Sequence, residues 1–363
     1  MLKFWWLFLF GCDGMVFFDD KGGEGSDTAT ALTNPAGSSS GTTPGTSTQT
    51  TSSSTATSPT EPTSPAPPDP FRAGPFAVST QSLDVPLGER AAGFASVVDT
   101  TLYLPIAAPG PVPVILFSHG FALSPDQYIS TGEHLASHGL AVAMPAWDEG
   151  FISSRTHTGL ASDVTAFLDW LEEAATSDPN LKSILDTGRI GLAGHSRGGK
   201  QSIQAALTDA RVLALFGVDP VDAAPPFGGS AVDYPSLTPE RIGDLSIPVG
   251  FIGAGRGGEG FVPCAPTEDN YQQYFDHSSA PTWLYTFPNA GHADFTDGCA
   301  DSPSLLSCGT CTIGDDPAAY RDLSRTLQVA FFRLHLSGEE SYRSWVDSPD
   351  DAITSVEISV AKR

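Results

Sequence analysis

The chain has 363 residues, with 42 acidic against 18 basic side chains and a formal net charge of −24. A surface so acidic repels polyanions along the whole approach, which argues against nucleic acid as a partner and says nothing of fold. Residues 23–70 are dominated by Gly, Ser, Thr, Pro and Ala and hold no aromatic residue. Such a stretch cannot bury enough apolar surface to offset the entropy of ordering, so a packed domain is expected only over residues 71–363.

At the amino terminus one basic residue, Lys3, precedes the apolar run 4–10 and then Gly11-Cys12. That is the pattern of a short export signal, and the run is too short to span a membrane. Leu9-Phe10-Gly11-Cys12 resembles the lipobox of bacterial lipoproteins. The resemblance implies that Cys12 becomes the lipidated first residue of a protein held at the cell envelope; an ordinary signal would instead give a secreted protein. Residues 13–70 are expected to be a disordered tether, part flexible and part stiffened by proline, and membrane contact is expected only through the anchor.

Beyond the tether, apolar patterning predicts strands and helices in alternation. Residues 96–105 read as a strand, and 112–118 as a near-continuous apolar run of the kind found in buried parallel strands. A helix is expected over 126–138, stopped by Gly139, then a strand over 140–144. Residues 159–175 put Ala161, Val164, Phe167, Leu168 and Leu171 on one helical face. A strand over 189–193 leads into a helix from 197 to about 207, followed by strands over 212–218, 247–252 and 283–287 and a long helix over 318–336. This order implies one α/β domain with a mostly parallel, doubly wound sheet and helices on both faces, whose working loops lie beyond the carboxyl ends of the strands.

Four cysteines follow in the last third: Cys264, Cys299, Cys308 and Cys311. In an exported chain they are expected to form structural disulfides, in one of three pairings that sequence does not distinguish. Cys308 and Cys311 form a CxxC, but no second CxxC or His pair stands near enough to complete a zinc site.

The strongest local signal is Gly194-His195-Ser196-Arg197-Gly198, which fits G-x-S-x-G and lies between a predicted strand and a predicted helix. In that setting the turn is sharp, the serine hydroxyl stands clear of the sheet, and a helix N-terminus favours a developing oxyanion. A serine needs a base to take its proton. His292, in the small-residue loop Asn289-Ala290-Gly291-His292 after the last strand, fits best. His134 and His138 lie on a helix well before the serine. His157 and His277 follow linker or helix-like segments, His335 lies in the terminal helix, and His195 adjoins the serine but points elsewhere at such a turn. Three acids lie between Ser196 and His292 and are open as the third group. Asp219 sits at a strand end, while Asp222 and Glu259 sit on turns. The oxyanion donors expected are the amides of Arg197 and of Phe121, the latter in Ser118-His119-Gly120-Phe121.

Gly194-His195-Ser196-Arg197-Gly198-Gly199-Lys200, Gly217-Val218-Asp219-Pro220-Val221-Asp222 and Phe117-Ser118-His119-Gly120-Phe121 together resemble the chlorophyllases, within the α/β-hydrolase superfamily. Pro263-Cys264-Ala265-Pro266 adds to the likeness, which spans roughly residues 98–312 and extends more loosely to cutinase-like polyester hydrolases and platelet-activating-factor acetylhydrolases. The resemblance implies an α/β-hydrolase fold, a Ser196–Asp219–His292 triad and ester hydrolysis without a metal or organic cofactor. Chlorophyllases cleave the phytyl ester of chlorophyll. The signal and tether depart from that pattern, so the substrate expected here is an unspecified small-molecule or lipid-like ester, met by a monomer.

Two other readings stand beside the esterase. The same residues would serve amide, lactone or thioester hydrolysis, because specificity lies in the pocket loops. A non-catalytic surface lipoprotein could keep the scaffold for binding, although such copies usually lose the nucleophile, the base or an elbow glycine, and all are present here. Cation binding by Asp294, Asp297 and Asp301 lacks the Gly and Glu spacing of known loops.

Overall fold

The computed structural model describes residues 69–363 apart from 89, 91–93, 148–154, 226–227, 261–262, 299–308, 350–352 and 354. The export signal, Cys12, the tether up to residue 68, Cys299, Cys308 and Asp301 therefore lie outside the described residues, while Pro70, at the tether's end, is buried beside His134.

Among the described residues nine strands form one sheet: β1 (Val78–Pro86), β2 (Val97–Pro105), β3 (Val112–Ser118), β4 (Ala141–Pro145), β5 (Leu185–His195), β6 (Val212–Val218), β7 (Val249–Ala254), β8 (Thr282–Phe287) and β9 (Ser359–Lys362). Their order is β1-β2-β4-β3-β5-β6-β7-β8-β9. Strands β3 to β8 run parallel, and the antiparallel pairs are confined to β1–β2, β2–β4 and β8–β9. Every residue of β3, β4 and β7 is buried, which is why these segments read as unbroken apolar runs rather than as alternation.

Seven α-helices of the described residues cover the sheet: α1 (Ile129–Ser137), α2 (His157–Ser177), α3 (Pro179–Ile184), α4 (Arg197–Ala206), α5 (Tyr271–His277), α6 (Pro317–Ser337) and α7 (Arg343–Asp347). Helices α2, α4 and α5 pack on one face, through Leu160, Val164, Phe167, Leu168, Ile203 and Tyr274. Helices α1, α6 and α7 pack on the other, through Leu135, Leu327, Phe331, Phe332 and Val346. Since α1 and α2 lie on opposite faces, the chain winds from β3 out to β4 and then back across to β5. The winding direction therefore reverses between β3 and β5, and a crevice opens at such a switch point beyond the carboxyl ends.

Two long helices owe their limits to caps. The Thr156 hydroxyl accepts from the Gly159 amide to start α2. The Asp316 carboxylate accepts from the Ala319 amide to start α6, which stops at Gly338, φ 69°.

The structure departs from expectation in informative places. The helix expected over 126–138 is interrupted: a 3₁₀ turn, Pro125–Tyr128, ends at Tyr128 (φ −139°, ψ 18°) before α1 begins. Strand β7 starts two residues later than expected and runs on through Ala254. Pro248 has no amide to offer the ladder, whereas Gly253 and Ala254 continue the register against Thr286 and Phe287.

Candidate active site

Ser196 sits between β5 and α4 with φ 56° and ψ −124°, a strained conformation for a residue with a side chain. The turn holds because its neighbours are glycines. A Cβ at Gly194 would lie 2.4 Å from the Gly198 carbonyl, and one at Gly198 would lie 2.1 Å from the Ser118 carbonyl oxygen. The Ser196 amide donates to the Val218 carbonyl at 3.0 Å, so the bend is also tied to the end of β6. Arg197 is the first residue of α4, which places its amide at a helix N-terminus.

His292 opens a short 3₁₀ turn, His292–Phe295, after β8. Its Nδ1 lies 2.5 Å from Oδ2 of Asp219, whose side chain is wholly buried. Asp219 itself has φ 43°, and its Oδ1 accepts from the Ala254 amide at 3.1 Å. The carboxylate is thus held by β7 on one side and faces the imidazole with the other. Of the three acids left open by sequence, Asp219 is the one brought to His292. Glu259 is exposed and pairs with Arg256 at 3.0 Å. Asp222 is buried against Lys200, whose ammonium lies 3.0 Å from its Oδ1, and accepts from the amides of Leu237 and Thr238 and the hydroxyls of Ser236 and Thr238.

The loop after β3 lies against the serine turn. A Cβ at Gly120 would meet His195 Nδ1 at 3.2 Å and the Ser196 Cβ at 3.4 Å. Phe121 and Ala122 follow, Ala122 at φ 54°, and the Arg197 guanidinium lies 4.5 Å from the Phe121 ring centre. Burial pushes His119 down to about 4, so it is neutral. The carbonyl of Gly120 can only accept, so His119 Nδ1–H donates to it at 3.0 Å, and Nε2 accepts from the Trp147 amide at 3.1 Å. Through this one ring the loop after β4 braces the loop after β3.

Several residues given no part at this site by sequence stiffen the loop that carries His292. Asp294, counted above only as a possible cation ligand, is buried and accepts from the Gly291 amide at 2.7 Å and the Gly314 amide at 2.9 Å. Asp297 instead accepts from Ser130 and pairs with Arg321. Among the described residues no three His, Cys, Asp or Glu side chains stand together as a metal site. Cys264 pairs with Cys311, closing 47 residues of sequence with Cα atoms 5.5 Å apart. The bond joins the loop after β7 to the segment that reaches Gly314. Ala293, Leu123, Cys311 and Ile313 make a small apolar cluster there, of which only Ala293 is fully buried.

A sheet of this order, with helices on both faces and a serine turn, an acid and a histidine at its carboxyl ends, defines an α/β hydrolase. The chain belongs to the chlorophyllase family, whose profile matches residues 68–362. Chlorophyllase-1, chloroplastic, of Citrus unshiu is 30% identical over 261 residues, covering 68% of this chain and 75% of that protein. Chlorophyllase-2 of Arabidopsis thaliana is 25% identical over 244 residues, covering 64% and 76%. The alpha/beta hydrolase xenA of Xenoacremonium sinensis is 31% identical over 130 residues, covering 33% and 29%.

Proposed function

We propose that this chain hydrolyses carboxylic esters through an acyl-enzyme intermediate, with Ser196 as nucleophile, His292 as base and Asp219 as the orienting acid. The observation that supports it best is the 2.5 Å contact of His292 Nδ1 with buried Asp219, at the sheet end that also presents Ser196. A carboxylate on Nδ1–H fixes the tautomer that leaves a lone pair on Nε2.

In acylation, Nε2 takes the hydroxyl proton as Ser196 Oγ attacks the ester carbonyl. The amides of Arg197 and Phe121 are the proposed donors to the oxyanion. The carbon–oxygen bond to the alcohol then breaks, and the imidazolium returns its proton to the leaving oxygen. A water next gives its proton to Nε2, attacks the acyl carbon and releases the acid, and the same proton goes back to Ser196. The apolar cluster at Leu123 and Ile313 suits an ester with an apolar acyl or alcohol part. The relatives' names make a chlorophyll ester one substrate to test. The Cys264–Cys311 disulfide fits an exported protein, which accords with an envelope-anchored or secreted location.

Replacing Ser196 by Ala is expected to lower kcat on p-nitrophenyl butyrate by roughly 10⁵–10⁶, as loss of a triad nucleophile does elsewhere. It is also expected to abolish labelling by a fluorophosphonate probe. Full activity in Ser196→Ala would sink the reading, and failure of the native chain to label would favour a binding role. A matched set of butyrate ester, thioester and amide separates the acyl bonds.

A further inference from the structure

Ser196 is preceded by a histidine that the reaction above does not use. His195 is buried, and both of its ring nitrogens are engaged. Nε2 lies 2.9 Å from the backbone carbonyl oxygen of His292, and Nδ1 lies 2.8 Å from the hydroxyl of Tyr128. That hydroxyl is in turn 3.2 Å from the Gly120 amide nitrogen. The polarity of this chain is forced. A carbonyl oxygen only accepts, so His195 Nε2 carries a proton. Burial first, and the adjacent His292 second, hold the His195 imidazole well below the usual histidine range, so Nδ1 keeps its lone pair. The Tyr128 hydroxyl therefore donates to Nδ1 and accepts from Gly120, and burial keeps that phenol protonated.

We propose that Tyr128 and His195 are positioning residues for the reaction, linking by one directed hydrogen-bond chain the loop of Phe121, the serine turn and the backbone of His292. The inference rests on the esterase reading. Each of the three loops carries one part of the chemistry, and each leaves a different strand. Without a cross-tie, small shifts in each would add, and misplacement by about 1 Å costs such a site about 10²-fold in rate. The tie has a second consequence. The rings of His195 and His292 lie 4.6 Å apart. A second cation at that distance would oppose the imidazolium that forms on His292 during turnover, and a neutral His195 avoids it. The break at Tyr128 between the 3₁₀ turn and α1 belongs to the same arrangement, since its ring lies at that break and its hydroxyl reaches Gly120 and His195.

The test uses the full chain on p-nitrophenyl butyrate, with thermal unfolding recorded for every variant. Tyr128→Phe is expected to lower kcat about tenfold with KM within twofold, because it removes the donor to Nδ1 and leaves the packing. His195→Phe keeps a ring but no donor and is expected to lose about a hundredfold. His195→Gln, whose amide can still donate to the His292 carbonyl, is expected to recover at least tenfold over His195→Phe at similar unfolding temperature. Rescue of that kind is not produced by filling space alone. The inference is overturned if Tyr128→Phe keeps kcat within twofold of the native chain, or if Gln at position 195 does no better than Phe. Ser196→Ala in the same assay keeps the two failures apart. If its activity equals the native chain's, the esterase reading itself falls; if it is dead while Tyr128→Phe is unimpaired, only the positioning roles fall.

Discussion

Asp294 lies two residues past His292 and faces two amide donors, yet burial pushes its carboxyl up to about 6. The folded state therefore binds a proton there that the unfolded chain has already released above its ordinary value of 3.8. Its contribution to stability is fully present below that value and is lost as pH rises through about 6. Asp294→Asn removes this titration while keeping an acceptor for the Gly291 or Gly314 amide. Unfolding temperature plotted against pH is expected to fall more steeply between about 4 and about 7 for the native chain than for the variant; parallel curves would contradict it. Residues of this kind were not legible in sequence. Ser196 and His292 could be singled out because a motif and a chain order point to them, whereas Asp219 was one of three candidate acids, and only its contact with His292 sets it apart. Nothing in the sequence says which of eight tyrosines reaches residue 195, or that His119 and Trp147 meet, because those contacts join loops far apart in the chain. Asp294 stood out in sequence only beside Asp297 and Asp301, whose spacing does not fit a cation loop, and nothing there shows that its carboxylate serves backbone amides.

Central elements were the easiest to read from sequence, and edge elements the hardest. Strands β3 and β6 have the limits that apolar runs predict, since both faces are covered. Strand β1 was missed: its sequence, VSTQSLDVP, is largely exposed along one edge of the sheet and shows no apolar stripe. It is set by nine paired positions against β2, from Val78 opposite Pro105 to Pro86 opposite Val97. The four-residue β9 closes the other edge, where Lys362 lies over the Trp283 ring and pairs with Asp347. Helices α3 and α5 are too short for periodicity to show. At this scale the Cys264–Cys311 bond links the loop after β7 to the segment leading into α6. By loop-closure entropy a bridge of that span stabilises by about 4 kcal/mol, less any relief of strain. Paired Cys264→Ser and Cys311→Ser substitution is expected to lower unfolding free energy in urea by about 2–4 kcal/mol. An unchanged midpoint would show that the remaining contacts already hold these segments.

The whole chain carries a net charge of −24, and that field acts on anything approaching the carboxyl ends of the sheet. A negatively charged ester is expected to show a kcat/KM that rises severalfold as ionic strength goes from about 0.01 to about 0.15 M, where the screening length falls from about 30 to about 8 Å. A neutral ester of similar size should stay level, and equal salt responses would deny the field any part in encounter. The buried Lys200–Asp222 pair has a different reach. Lys200 rides on α4, the helix that follows Ser196, while Asp222 gathers the amides of Leu237 and Thr238 and the hydroxyl of Ser236. The stretch from residue 223 to residue 235 is thereby pinched shut at its base, like a bag drawn closed at the neck. Doubling the length of such a closed excursion costs only about 0.6 kcal/mol. Lengthening the excursion inside that closure is therefore expected to leave the tie between Asp222 and α4 in place, while Val232, Asp233 and Tyr234 hold it against the start of α2.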